Sequence, residues 1–162
     1  NSPHNLTCAS DVKHGAGTAD CVGLMAWSEG IDRWQPGVPQ LSNYGGWLNS
    51  NSIMNFRKRP GLFSFVVSVD TPFKLGECGD VRLGDVLVVP GKPGQYGHVA
   101  VLTAVGSTYS GVSCVHCSPS NYDKDSTPGA IDETPVWSYR RGVRIRGAWR
   151  AGTTVHVFRR TE

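Results

Sequence analysis

Five short apolar runs succeed one another from residue 62 onward, at Leu62–Val69, Asp85–Val89, His98–Ala104, Val112–Cys117 and Thr153–Phe158. Their length and β-branched content predict strands rather than helices. Ahead of them, one segment carries helix signals. Asp20 is a good N-cap, Gly30 a good stop, and Cys21, Leu24, Met25 and Ser28 fall on one face between them. Residues 35–61 mix Gly, Pro, Asn and Ser with Trp47, Ile53 and Phe56, which predicts loops with at most a short helix. Ser118–Pro135, with three prolines and turn formers around Tyr122, predicts a long exposed loop. A helix followed by successive antiparallel strands predicts an α+β fold, the helix packed on a sheet of about five strands.

With 162 residues and 17.5 kDa the chain fits a single domain spanning residues 1–162, large enough to bury a core without metal or disulfide staples. Its 20 Gly and 10 Pro make it rich in loops, yet 39% apolar and 18% charged residues are not a disordered composition. No apolar run approaches the roughly 18 residues that a membrane span needs. The first residue is Asn1 and nothing like a signal peptide follows, so either a leader was removed or the domain was cut from a larger chain.

The net charge of +3 is unevenly spread. Arg140, Arg141, Arg144, Arg146, Arg150, Arg159 and Arg160 crowd the last 24 residues, where Glu162 is the only acid. Such an end could meet a polyanion. The plainer reading makes Val143-Arg144-Ile145-Arg146 a strand with arginines facing water, so nucleic acid is not the expected partner.

Five cysteines, at 8, 21, 78, 114 and 117, leave at least one unpaired. Cys114-Val115-His116-Cys117 has the spacing of half a zinc site, but no second CxxC or HxxxH exists in the sequence; only Cys78 and His98, recruited in three dimensions, could complete it, and no metal is expected. A redox CxxC normally opens a helix. This one lies in a predicted strand. Asn5-Leu6-Thr7 matches a glycosylation acceptor no better than chance, and His4 and His156 read as ordinary terminal and strand residues.

The chemistry concentrates in three places. Cys21 would occupy the first turn of the predicted helix, where the helix N-terminus favours a thiolate and the residue's own N–H could meet an oxyanion. The expected consequence is a depressed thiol pKa. His98 opens a strand, and His116 lies one strand further on, sharing a face with Cys114 and Ser118. If those strands pair antiparallel, His116 lies beside His98. Nucleophile, base and orienting group then come from helix, strand and next strand.

Asp20-Cys21-Val22-Gly23-Leu24 with Trp27, then Gly84-Asp85, Gly97-His98-Val99 and Val115-His116, resembles the NlpC-type murein endopeptidases, papain-like cysteine peptidases of bacterial cell walls. Val38-Pro39-Gln40-Leu41-Ser42 is similar to that family's segment after the helix, and the resemblance spans roughly residues 15–120. It implies a papain-like fold, Cys21 as nucleophile, His98 as base, His116 as orienter, and Asp20 as the acid receiving a stem peptide's free amine. It further implies cleavage after γ-linked D-glutamate, no cofactor, a peptidoglycan stem peptide as partner, and a secreted, extracellular or periplasmic setting, a phage particle or toxin included. A monomer is expected. Val22 stands where the family has Ser, and Leu83 where it has Pro. His14 is the only upstream side chain able to replace the family's oxyanion Tyr. Trp47 and Tyr122 join Asp20 as expected substrate contacts. Two other readings stay open: an amidase or acyltransferase using the same Cys–His–His set, and a non-catalytic wall- or nucleic-acid-binding module.

Overall fold

The structure, a computed structural model, describes residues 20–70, 78–94, 97–106, 112–117, 131–135 and 154–162. Helix α1 (Cys21–Ser28) begins at the expected cap, where the Asp20 carboxylate accepts the Gly23 N–H at 2.7 Å. It ends at Glu29, after which Gly30 takes a φ of +65° that a side chain would resist. Val22 through Ala26 are all buried, so α1 is covered on more sides than the single expected face.

The loop-rich stretch is short-turned rather than irregular. A 3₁₀ turn at Pro39–Tyr44 is followed by α2 (Ser50–Ile53), which runs into a further 3₁₀ turn at Met54–Arg57. Pro39 occupies the first turn, where its missing N–H costs nothing. Asn49 caps α2 reciprocally with Ser52. Gln40 ties the stretch to the chain ahead of the sheet through the carbonyls of Arg59 and Pro60.

Among the described residues six strands form one antiparallel sheet: β1 (Phe63–Val69), β2 (Val86–Val89), β3 (His98–Ala104), β4 (Ser113–Cys117), β5 (Ile131–Pro135) and β6 (Val155–Arg160). Their spatial order is β1-β6-β2-β3-β4-β5. The sheet has one strand more than the sequence led us to expect. Ile131–Pro135 falls in the predicted loop, yet pairs along its length with β4. Its acidic residues fit an edge strand, whose outer side meets water. Glu133 is exposed and accepts the Thr103 hydroxyl across β4. The last strand runs to Arg160 rather than stopping at Phe158.

Both faces of the sheet are buried. On one, Val86, Val88, Val99, Val101, Phe63 and Phe158 pack with Val22, Met25, Leu41, Ile53 and Phe56. On the other, Leu87, Ala100, Leu102, Cys114, Val155 and Val157 pack with Val69, Val81 and Val112. That is why Val86–Val89 and His98–Leu102 read as continuous apolar runs with no polar alternation. Asp85, 1% exposed, ends the turn before β2 and accepts Arg159 Nε and Nη2 and the Arg82 N–H, each at 2.8 Å. The Gly84-Asp85 motif therefore ties β6 to β2. Among the described residues no helix is long and apolar enough to cross a membrane.

Candidate active site

α1 lies across β3 and β4, which brings its N-terminus to the start of β3. Gly97 leads into His98 through a space no side chain could share. A Cβ there would sit 2.6 Å from Gly91 N and 2.7 Å from Val89 O. The close approach of that connector to β2 sets where His98 enters the strand.

His98 and His116 meet as alternation and antiparallel pairing led us to expect. Nε2 of His98 lies 2.9 Å from Nδ1 of His116, with the rings edge to face at 88°. Both side chains are buried. Burial, and secondarily the neighbouring imidazole, pulls His98 down to about 3, so it is neutral at pH 7. With the His98 ring neutral, placing its N–H on Nε2, donating to His116, leaves His98 Nδ1 with the lone pair a base needs.

The Cys21 thiol takes the backbone N–H groups of Val99 and Val22 as partners. Val99 follows His98 directly, so the thiol's backbone partner on β3 is one residue from His98.

The expected depressed thiol pKa is corrected here. Cys21 is pushed up to about 11, chiefly because burial penalises the thiolate and next because the Asp20 carboxylate is adjacent. The two backbone N–H groups and Arg33 oppose this without overcoming it. The helix N-terminus acts in the foreseen direction, and desolvation outweighs it.

Asp20 does more than cap. Its Oδ1 accepts both the Gly23 N–H and Arg33 Nη1 at 2.7 Å. Arg33 is 4% exposed, donates from Nε to the Leu48 carbonyl at 3.1 Å, and lies over the Trp47 ring at 5.1 Å. Trp47, expected to touch substrate, is half-buried and backs Arg33. Nothing in the sequence reading marked Arg33, and its only signal is an arginine set between Ile31 and Trp34. His14 and Tyr122 lie outside the described residues.

Cys117 is the other unforeseen member. Residues three apart on a strand face opposite ways, so Cys114 joins the far core while Cys117 turns toward α1. Burial pushes Cys117 up to about 12, with Cys21 and Asp20 contributing. The Cys114–Cys117 spacing therefore does not converge on one ion, and no metal-holding group of three occurs among the described residues. At the Arg-rich end, Arg159 is held by Asp85, and Arg160 donates to the Leu62 and Thr161 carbonyls.

A groove of about 540 Å³ runs beside the site between Tyr44, Ser50, Asn51, Lys92 and Gly97. It offers polar and aromatic contacts beside Gly97, the residue that precedes His98. No family model, curated protein or solved structure matches the chain.

Proposed function

We propose that the protein is a cysteine endopeptidase of the NlpC type, with a papain-like arrangement of helix and sheet, acting on peptidoglycan stem peptides. The observation that carries this is the 2.9 Å pairing of His98 Nε2 with His116 Nδ1, beside a thiol held by the N–H of the residue after His98. A base with its far nitrogen fixed by a second side chain, next to a nucleophile at a helix start, is what acyl transfer through a thioester requires.

The resting pair is thiol and neutral imidazole, not thiolate and imidazolium. His98 Nδ1 takes the thiol proton as Sγ attacks the scissile carbonyl, so ionisation and attack are coupled. The Cys21 N–H, in a first turn where no intrahelical acceptor reaches, is available to the developing oxyanion. His98 then hands its proton to the leaving amine, and the acyl group stays on Cys21. Water, deprotonated by His98, releases the product acid and the free thiol. His116 accepts from His98 Nε2 throughout and stabilises the transient imidazolium. Asp20 Oδ2 is the atom left to take a substrate ammonium group, since Oδ1 is occupied.

The test is mass spectrometry of muropeptides digested with the wild type and with Cys21→Ala. New peptide termini after D-glutamate in the wild type alone are the expected result. Identical digests would sink the enzymatic reading. Cleavage between sugar and peptide instead would transfer the same three residues to an amidase.

A further inference from the structure

We propose that Arg33 is the positioning residue of this site, holding the Asp20 carboxylate and offsetting its charge so that the Cys21 thiol can ionise during attack. The proposal rests on Cys21 being the reactive thiol, and its main readout needs no substrate.

A carboxylate immediately before a nucleophilic cysteine is a liability. Its charge opposes the thiolate, and a partly buried position leaves little water to screen it. Asp20 is such a group, with a side chain 30% exposed. It is also needed where it is, because its Oδ1 caps α1 through Gly23. Arg33 answers both demands. Its Nη1 shares that same oxygen at 2.7 Å, which fixes the carboxylate's rotation. Its positive charge sits one ion-pair distance from the residue bonded to Cys21.

The guanidinium is held for this task and kept out of substrate's reach. It is 4% exposed, anchored by Nε to the Leu48 carbonyl and flanked by the Trp47 ring. Lys would keep the charge but not the fork that reaches Asp20 and Leu48 together. From β3 the thiol meets the Val99 N–H, and from β4 Cys117 lies close enough for the two thiols to act on one another. Asp20 and Arg33 are the permanent charges beside it. The two act in opposite senses on the thiol, Asp20 raising its pKa and Arg33 lowering it.

The experiment follows the rate of iodoacetamide labelling of Cys21 by peptide mapping from pH 6 to 11, with melting curves, in the wild type and in Arg33→Gln, Arg33→Lys and Asp20→Asn. The rate rises about tenfold per unit below the midpoint, and a moved midpoint is read from the displacement of that rising limb. Arg33→Gln is expected to move the labelling midpoint upward by about one unit. Arg33→Lys should recover most of that shift, and Asp20→Asn should move the midpoint below the wild-type value. A folded Arg33→Gln with an unchanged midpoint overturns the proposal. So does an Arg33→Lys midpoint no closer to the wild type than that of Arg33→Gln. Should Arg33→Gln fail to give a cooperative melt, Asp20→Asn decides: a downward shift supports the charge balance and an unchanged midpoint rejects it. Labelling shifts as expected together with no muropeptide cleavage would fault the peptidase reading and leave this proposal standing.

Discussion

Removing the His116 ring probes the proposed site at the scale of one residue, because in that proposal His116 orients His98 and forms no bond to substrate. His116→Ala is expected to melt near the wild type yet lose most turnover, by a smaller factor than Cys21→Ala. His116→Gln and His116→Asn, whose amides can still accept from His98 Nε2, should retain more turnover than His116→Ala. Kinetics and melts on the three variants check this, and wild-type turnover in His116→Ala would exclude the orienting role. The pair itself was legible in the sequence, since strand alternation and antiparallel pairing suffice to put His98 beside His116. The ionisation state of Cys21 was not. A helix N-terminus is visible in a sequence, whereas the burial that pushes the thiol to about 11 depends on what α1 is pressed against. Arg33 was hidden for the same reason, its partner Asp20 lying thirteen positions away in a different element.

Among the elements, the β2–β3 connector bears most directly on the site. Gly97→Ala would drive a Cβ into the backbone at Gly91 and Val89, and backbone cannot step aside as a long side chain does. We expect a destabilisation of about 1–3 kcal/mol, measured by denaturant unfolding, and a drop in turnover beyond what the lost stability explains, because His98 is displaced with the connector. Unchanged turnover in folded Gly97→Ala would show that the base does not depend on this approach. Elements with strong local signals were the legible ones: α1 between Asp20 and Gly30, and the apolar runs that became β1 to β4. β5 was missed because an edge strand needs one buried neighbour only, and Ile131-Asp132-Glu133-Thr134-Pro135 carries acids and a proline that a central strand would reject.

The molecule as a whole carries buried histidines whose effect on stability has a definite sign. His98 is depressed from 6.5 to about 3, and burial depresses His156, which is hydrogen-bonded to Ser68 Oγ at 2.7 Å. Below pH 6.5 the unfolded chain gains protons that the folded chain refuses, so stability is full above that pH and falls as pH drops toward 3. The melting temperature should decline from pH 7 to pH 4, and His98→Gln should flatten the decline; a flat wild-type profile would contradict the burial described. Sheet order was the least legible feature, since no local pattern reveals that β6 lies between β1 and β2. That insertion governs the order of events in folding. Residues 63–69 and 86–89 cannot become neighbours in a sheet on their own, and each keeps an unpaired edge until residues 155–160 arrive to separate and join them. Closure of so distant a loop must precede most of the sheet's reward, which makes for slow folding. A nascent chain stopped before residue 155 would leave two raw strand edges open to self-association, so this protein's vulnerable period lasts until β6 is in place.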